Sequence, residues 1–208
     1  MLKDQPLAAF LDRLASASAT PGGGSAAAVM GAIGAALVGM VAHLTLGKAK
    51  YQAAADAMQA ILTQAENLRQ RLLQAAEADI AAFDEVMRAW RLPKQTEDDK
   101  ARREAALQAA LKAATQAPLT CASLCAEVIG LCRTAAEQGN PSAITDAGVG
   151  ALAARTALQS CALNVEVNLR AVCDQEFVRA CRKELEQALI KSSEVESILQ
   201  TITTRLGL

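Results

Sequence analysis

The sequence predicts an all-α protein, an antiparallel bundle of about six helices around a buried helix rich in alanine and glycine. Of its 208 residues, 52% are hydrophobic but only 2% are aromatic, and alanine predominates. Alanine is the best helix former, whereas the β-branched residues that strands favour are sparse. Long stretches with apolar residues at helical spacing alternate with short turns. No linker-like segment divides the chain, so residues 1–208 are expected to form one domain.

The first three predicted helices cover Lys3–Ala15, Ser25–Leu46 and Gln52–Arg91. The second is uncharged and is stopped near Gly47, and the third carries one apolar stripe along its length and is followed by Pro93. The first has a single apolar face, formed by Leu7, Phe10, Leu11 and Leu14.

The other three predicted helices cover Asp98–Glu137, Pro141–Cys173 and Asp174–Arg205. The first of these is expected to kink or break near Pro118, because proline removes a helical hydrogen bond. The sequence Gly139-Asn140-Pro141 reads as a helix stop, an N-cap and a first helical position. Short turns between long helices then make neighbouring helices antiparallel.

The most informative motif is the turn Pro21-Gly22-Gly23-Gly24-Ser25, which opens directly into the second helix. Such a turn leaves free N–H groups at the positive end of a helix dipole, where an anionic group can bind. In the alternative interpretation, the glycines only allow a sharp, close-packed corner and Ser25 caps the helix.

The uncharged run from Gly24 to Leu46 is long enough to span a bilayer. Its small residues also have the spacing that membrane helices use for packing. These are Gly31, Ala35 and Gly39. The run is nevertheless made largely of alanine and glycine and is interrupted by His43 and Thr45. A buried helix at the centre of a soluble bundle is therefore favoured, and a membrane anchor is the alternative.

Charge and cysteine usage argue against several classes of protein. The 21 basic and 22 acidic residues give a net charge of −1, without the basic stripe that nucleic-acid binding requires. The six cysteines form no CxxC motif and there is one histidine, so a standard metal site is not expected. The N-terminus lacks the apolar core of a signal peptide. We therefore expect a cytoplasmic protein whose cysteines are reduced, small, buried residues.

Asp79 is the strongest candidate for a chemical role, because it falls within the apolar stripe of the third helix. A carboxylate that faces a core is costly unless it is paired or used. The functional alternative is acid–base catalysis, and the structural alternative is a carboxylate satisfied by an arginine or a helix end.

Other polar residues also have two interpretations each. His43 could be a proton shuttle or a hydrogen-bonded core residue. Lys48 could bind a ligand carboxylate or complement its helix C-terminus, and Asp146 could act in an active centre or favour its helix N-terminus. Asn164 and Asn168 share a face and are expected to bridge helices.

Taken in order, the motifs resemble the cyclodeaminase/cyclohydrolase family of folate enzymes. That family includes the C-terminal domain of formiminotransferase-cyclodeaminase and stand-alone methenyltetrahydrofolate cyclohydrolases. The resemblance extends over nearly the whole chain, with Thr145 standing where the family is expected to favour serine. The matching segments are Pro21–Ser25, Met40–Lys48 with Tyr51, Asp79–Phe83, Arg91–Lys94, Arg103–Pro118, Asn140–Asp146 and Asn164–Asn168.

The resemblance implies a helical homodimer that acts on one-carbon adducts of tetrahydrofolate without a metal or redox cofactor. It implies that Asp79 is catalytic, while Asp146 and His43 are further catalytic candidates on the residue arguments given above. The residues expected to bind substrate are Gly22, Gly23, Gly24, Ser25, Lys48 and Asn140. Hydrolysis of 5,10-methenyltetrahydrofolate to 10-formyltetrahydrofolate is favoured, and formimidoyltetrahydrofolate cyclodeamination is the alternative. A further alternative is a non-catalytic helical scaffold or binding protein.

Overall fold

The computed structural model describes residues 4–207, and within that range it contains helices and no β-strand. Two 3₁₀ segments, Ala49–Ala54 and Lys191–Ser193, precede the third and the last α-helix. The prediction of an all-α bundle is confirmed. The α-helices are α1 (Leu7–Leu14), α2 (Gly23–Thr45), α3 (Ala55–Trp90), α4 (Glu97–Gln138), α5 (Ile144–Leu169), α6 (Gln175–Ile190) and α7 (Glu194–Leu206).

The predicted helix bounds differ from the observed ones near both ends of the chain and at α5, which begins at Ile144 with Ala143 as N-cap and not at Pro141. The predicted start at Lys3 lies outside the described residues, and α1 begins at Leu7. The predicted last helix is divided by its 3₁₀ segment into α6 and α7. The predicted fifth helix ends earlier, at Leu169, and Asp174 caps α6 by accepting the backbone N–H groups of Glu176 and Phe177.

Helix α4 does not break at Pro118, which lies inside one continuous helix of 42 residues. Proline has no N–H group, so the carbonyl of Ala114, one turn earlier, lacks its usual helical partner. The side-chain Nδ2 of Asn168 on α5 donates to this carbonyl at 2.7 Å. An amide from the neighbouring helix therefore replaces the missing bond, and the prediction that Asn168 bridges two helices is confirmed.

Helix α2 packs against α3, α4 and α5 and crosses α5 with the two backbones in contact. A Cβ atom added at Gly34 would lie 2.9 Å from the carbonyl oxygen of Gly150, and one added at Gly150 would lie 3.1 Å from that of Gly34. The small residues of α2 thus serve close packing inside the bundle. The outer side of α2 remains open, and it exposes Ile33, Met40 and Leu44.

Within residues 4–207, α2 and α4 are the helices long and apolar enough to cross a membrane by length and composition. The most apolar window of α2 is 56% buried inside the protein, and that of α4 is 67% buried. Core helices of soluble proteins can have the same length and composition, so these two properties do not distinguish a membrane-spanning helix from a core helix.

All six cysteines are free thiols in the described part of the chain, and five of them are buried. Cys173 is exposed in the segment between α5 and α6. Removal from water raises the pKa of the Cys132 thiol to about 12. The prediction that the cysteines are small core residues therefore holds for all but Cys173.

We expect Gly34→Ala to destabilise the protein by about 1–3 kcal/mol, because the added methyl group forces the α2 and α5 backbones apart. Gly130→Ala in α4 is the matched control, since a Cβ atom there would meet nothing within 4 Å. That variant should gain up to about 1 kcal/mol from helix propensity. Urea unfolding of both variants measures the difference, and equal stabilities would contradict the close crossing.

Candidate active site

The carboxylate of Asp79 on α3 lies at the N-terminus of α2. The hydroxyl of Ser25 donates a hydrogen bond to its Oδ2 at 2.9 Å, and the backbone N–H of Ser25 donates a second one. The anion predicted at this helix N-terminus is therefore supplied by the protein itself. Ser25, which is predicted to bind substrate, orients Asp79 in this structure.

The glycine turn provides the space in which this carboxylate lies. A Cβ atom at Gly24 would be 2.1 Å from Oδ1 of Asp79, which is far too close for two atoms that are not bonded to each other. Positive φ angles occur within residues 4–207 at Gly47 and Gly207 and at none of the three glycines of the turn. Gly24 is thus required for its missing side chain and not for an unusual backbone conformation.

Asp79 faces a cavity of about 280 Å³ between the N-terminus of α2 and helices α3, α4 and α5. Three apolar side chains form one wall, Phe83, Val86 and Leu111. The polar side chains that line it are those of Thr20, Asp79, Asn164 and Asn168. In the described residues, Asp79 is the single ionisable group of this lining.

Burial raises the pKa of Asp79 above its ordinary value of 3.8. The two hydrogen bonds from Ser25 act in the opposite direction but are outweighed by burial. A carboxyl group with a raised pKa exchanges protons more readily near neutral pH, as acid–base catalysis requires.

Asn140, predicted to bind substrate, is only 4% exposed and holds the other end of α2 in place. Its backbone N–H donates to Oγ1 of Thr45 at 2.9 Å, and its Nδ2 donates to the carbonyl of Leu44 at 3.1 Å. Its Oδ1 accepts a 2.7 Å hydrogen bond from the hydroxyl of Tyr51. These bonds give Asn140 a structural task in the single chain.

The remaining predicted residues also lie toward the C-terminal end of α2. Lys48 is exposed just after this helix, and Asp146 lies in the first turn of α5. His43 is exposed beside a groove of about 400 Å³ that also includes Glu66 and Arg69, so it is not a core residue. Ser25 and His43 are 18 residues apart on α2, or about 27 Å at the usual helical rise.

The single chain therefore brings Gly22–Ser25 together with Asp79 and leaves His43, Lys48, Asn140 and Asp146 at a separate place. Phe83, Asn164 and Asn168 also line the cavity, a position that was not predicted for them. Phe83 lies on an apolar stripe, which favours a core position. The four-residue spacing of the two asparagines was a usable signal, because it places two amides on one helix face.

The chain is similar to a cyclohydrolase over the full length of both proteins, and to part of a longer transferase-cyclodeaminase. It is 45% identical to the methenyltetrahydrofolate cyclohydrolase of Methylorubrum extorquens, over 100% of both proteins. It is 33% identical over 198 residues to the formimidoyltransferase-cyclodeaminase of Sus scrofa, a match that covers 95% of this chain and 36% of the pig protein.

The fold and the ordered motifs have counterparts as well. The crystal structure of formiminotetrahydrofolate cyclodeaminase from Thermotoga maritima matches with a TM-score of 0.84 and 29% identity, over 100% of this chain and 98% of that one. Residues 6–187 match the family model described as formiminotransferase-cyclodeaminase. The predicted resemblance is confirmed, and the chain belongs to the formiminotransferase-cyclodeaminase family.

Proposed function

We propose that this protein hydrolyses 5,10-methenyltetrahydrofolate to 10-formyltetrahydrofolate, with Asp79 as its acid–base group. The observation that carries the proposal is a half-buried carboxylate of raised pKa that faces a cavity and is held by Ser25. The full-length identity of 45% to a protein named for this reaction supports the choice of substrate.

The reaction requires one group that accepts a proton and then returns it. Water adds to the cationic carbon that joins N5 and N10, and Asp79 accepts the proton that the water loses. The bond between this carbon and N5 then breaks, and N5 takes the proton from Asp79. The remaining hydroxyl proton leaves to solvent, so the carbon stays on N10 as a formyl group. The ionised carboxylate also stabilises the cationic substrate.

Cyclodeamination of 5-formimidoyltetrahydrofolate is the second candidate. Its support is the structural match to a protein with that name. In this reaction N10 attacks the formimino carbon on N5 and its proton passes to the imine nitrogen. Asp79 donates a second proton to that nitrogen, and the bond between it and the carbon breaks to release ammonia and the methenyl cation. Both reactions pass through bonds between the same carbon and the same two nitrogens, so one carboxylate serves either.

The experiment is a pair of assays on the purified protein. Hydrolysis is followed by the loss of the near-ultraviolet absorbance of methenyltetrahydrofolate, against a blank without enzyme. Cyclodeamination is followed by ammonia release from the formimino substrate. Faster loss of absorbance supports the cyclohydrolase, and ammonia release supports the second candidate. A protein that accelerates neither reaction would be a scaffold or binding protein.

The proposed reaction needs no metal or redox cofactor. The methenyl carbon is already an electrophilic cation, and no electrons are gained or lost in the hydrolysis. We therefore expect full activity after prolonged treatment with a chelator, and loss of activity that added metal restores would contradict this part of the proposal.

The proposed active form is a homodimer in the cytoplasm, without a membrane-inserted helix. Adjacent outer faces of α2 and α5 expose apolar side chains on either side of the Gly34–Gly150 crossing. A second copy that covers this face would remove it from water. The buried free thiols suit a reducing compartment. The exposed side chains of the apolar face on α2 and α5 are those of Ile33, Met40, Leu44, Val149, Leu152, Leu163 and Val167.

We expect Ile33→Glu to convert the dimer into a monomer, because it introduces a charge at the centre of this face. Ile190→Glu on α6 is the control, since Ile190 is 63% exposed and Ile33 is 48% exposed. Light scattering at micromolar concentration should find a dimer for the wild type and the control. A wild-type monomer, or equal masses for both variants, would contradict the assignment, and fractionation of cells tests the location.

A further inference from the structure

The amide of Asn168 is fixed in one orientation by Pro118. Its Nδ2 donates to the carbonyl of Ala114, the carbonyl that Pro118 leaves without a helical partner. A carbonyl oxygen can accept but not donate, so the amide cannot be reversed without losing this bond. The oxygen Oδ1 is therefore the polar atom of Asn168 that remains for the cavity, and within residues 4–207 it accepts no hydrogen bond.

Asn164 lies one turn earlier on α5, and its amide bonds within its own helix, so the predicted bridge to another helix is not formed by this residue. Its Nδ2 donates to the carbonyl of Ser160 at 2.8 Å, so its orientation is fixed as well. Its Oδ1 has no donor among the described residues. Both atoms of the amide lie near Gly23, 3.8 and 3.9 Å from the position that a Cβ atom would take there. Two consecutive glycines thus separate this amide from Asp79.

The cavity consequently presents two fixed, neutral acceptors beside its one carboxylate. Its apolar wall of Phe83, Val86 and Leu111 suits a flat ring. Its volume of about 280 Å³ is near the lower end for small-molecule sites, about 300 Å³. The site is large enough for a bicyclic head group but not for a long attached tail.

We propose that Asn164 and Asn168 bind the donor edge of the pterin ring, which carries N–H groups at N3, at N8 and on the 2-amino substituent. The inference rests on the proposed function, since it takes the substrate to be a folate. Neutral amides suit this position, because a second carboxylate would compete with Asp79 for the cationic carbon and raise the pKa of Asp79 further. The two amides thus orient the pterin ring so that the carboxylate of Asp79 lies beside the one-carbon unit.

The test uses two probes, 5-formyltetrahydrofolate and its analogue without the 2-amino group, with titration calorimetry. Wild-type protein should bind the analogue about tenfold more weakly, as expected for one lost hydrogen bond of about 1.4 kcal/mol. Asn164→Leu removes one acceptor and leaves the Ser160 carbonyl with its helical bond. Its affinity for 5-formyltetrahydrofolate should fall about tenfold, and its preference between the two probes should shrink.

Asn168→Leu alone would leave the Ala114 carbonyl unpaired and destabilise the fold. The double variant Pro118→Ala/Asn168→Leu supplies a backbone N–H to that carbonyl and keeps the helix intact. We expect it to be folded and, like Asn164→Leu, to show a smaller preference between the probes, whereas Pro118→Ala alone should keep most of the wild-type preference.

A purely structural role for the asparagines would weaken both probes equally and leave their ratio unchanged, which would overturn the inference. In that case normal turnover by the wild type would leave the proposed function standing. A wild-type protein that neither binds 5-formyltetrahydrofolate nor turns over either substrate would overturn both.

Discussion

Replacing Asp79 with asparagine is expected to lower kcat by about 10²–10⁴-fold, the usual contribution of a positioned acid–base group. The asparagine Oδ1 can still accept the hydrogen bonds of Ser25, so the site keeps its geometry. Steady-state kinetics on methenyltetrahydrofolate measures the effect. Asp84→Asn on the exposed side of the same helix is the control, and it should keep wild-type kcat. A folded Asp79→Asn protein with more than about half of wild-type kcat would refute the role.

The same substitution should raise thermal stability at neutral pH. Burial raises the pKa of Asp79 in the folded protein, so folding disfavours the ionised form. The loss of folding stability caused by the ionised Asp79 is complete above the pKa of this group in the folded protein. It disappears as the pH falls from that value toward 3.8, because Asp79 is then protonated in both the folded and the unfolded protein. The Tm advantage of Asp79→Asn should therefore shrink over this acidic window. A constant Tm difference at all pH values would contradict the direction of the shift.

Gly24→Ala is expected to reduce kcat nearly as much as loss of Asp79, by about 10²-fold or more. The added methyl group would lie 2.1 Å from Oδ1 of Asp79, so the carboxylate must leave its place beside Ser25. Overpacking of this kind also costs about 1–3 kcal/mol of stability.

Gly23→Ala is the matched control for this prediction. A Cβ atom at Gly23 would make only ordinary contacts, at 3.8 Å from Asn164. The control should stay folded with Asp79 in place, so an effect of the methyl group on substrate binding should appear in KM and leave most of kcat. Equal kcat values for Gly24→Ala and Gly23→Ala would show that the carboxylate of Asp79 does not depend on the missing side chain of Gly24.

Local patterns in the sequence were sufficient to predict most of the helices and the position of Asp79 as a half-buried carboxylate on a largely apolar helix face. Apolar periodicity is a property of each segment by itself, so it locates α2 to α5 to within a few residues. The ordered motifs then identified the family, because their combination is more specific than any one of them.

The composition of the site could not be predicted in the same way, because it depends on which helix ends meet. The pairing of Asp79 with Ser25 joins residues 54 positions apart. The replacement of a missing helical bond at Pro118 by Asn168 joins α4 to α5, and sequence alone indicated a break there. His43 lies about 27 Å along α2 from Ser25, and Lys48 follows the far end of that helix. Residues of the matching segments therefore do not all line one cavity.

The distribution of thiols gives this protein a natural reporter of its own unfolding. A thiol reagent should modify Cys173 at once in the native state, whereas the five buried cysteines react only when the bundle opens. Their modification rate therefore measures the opening of helices that lie in the core, without any engineered label. Because Cys161 belongs to α5 and Cys132 to α4, mass spectrometry of the modified peptides would reveal which of these helices separates first.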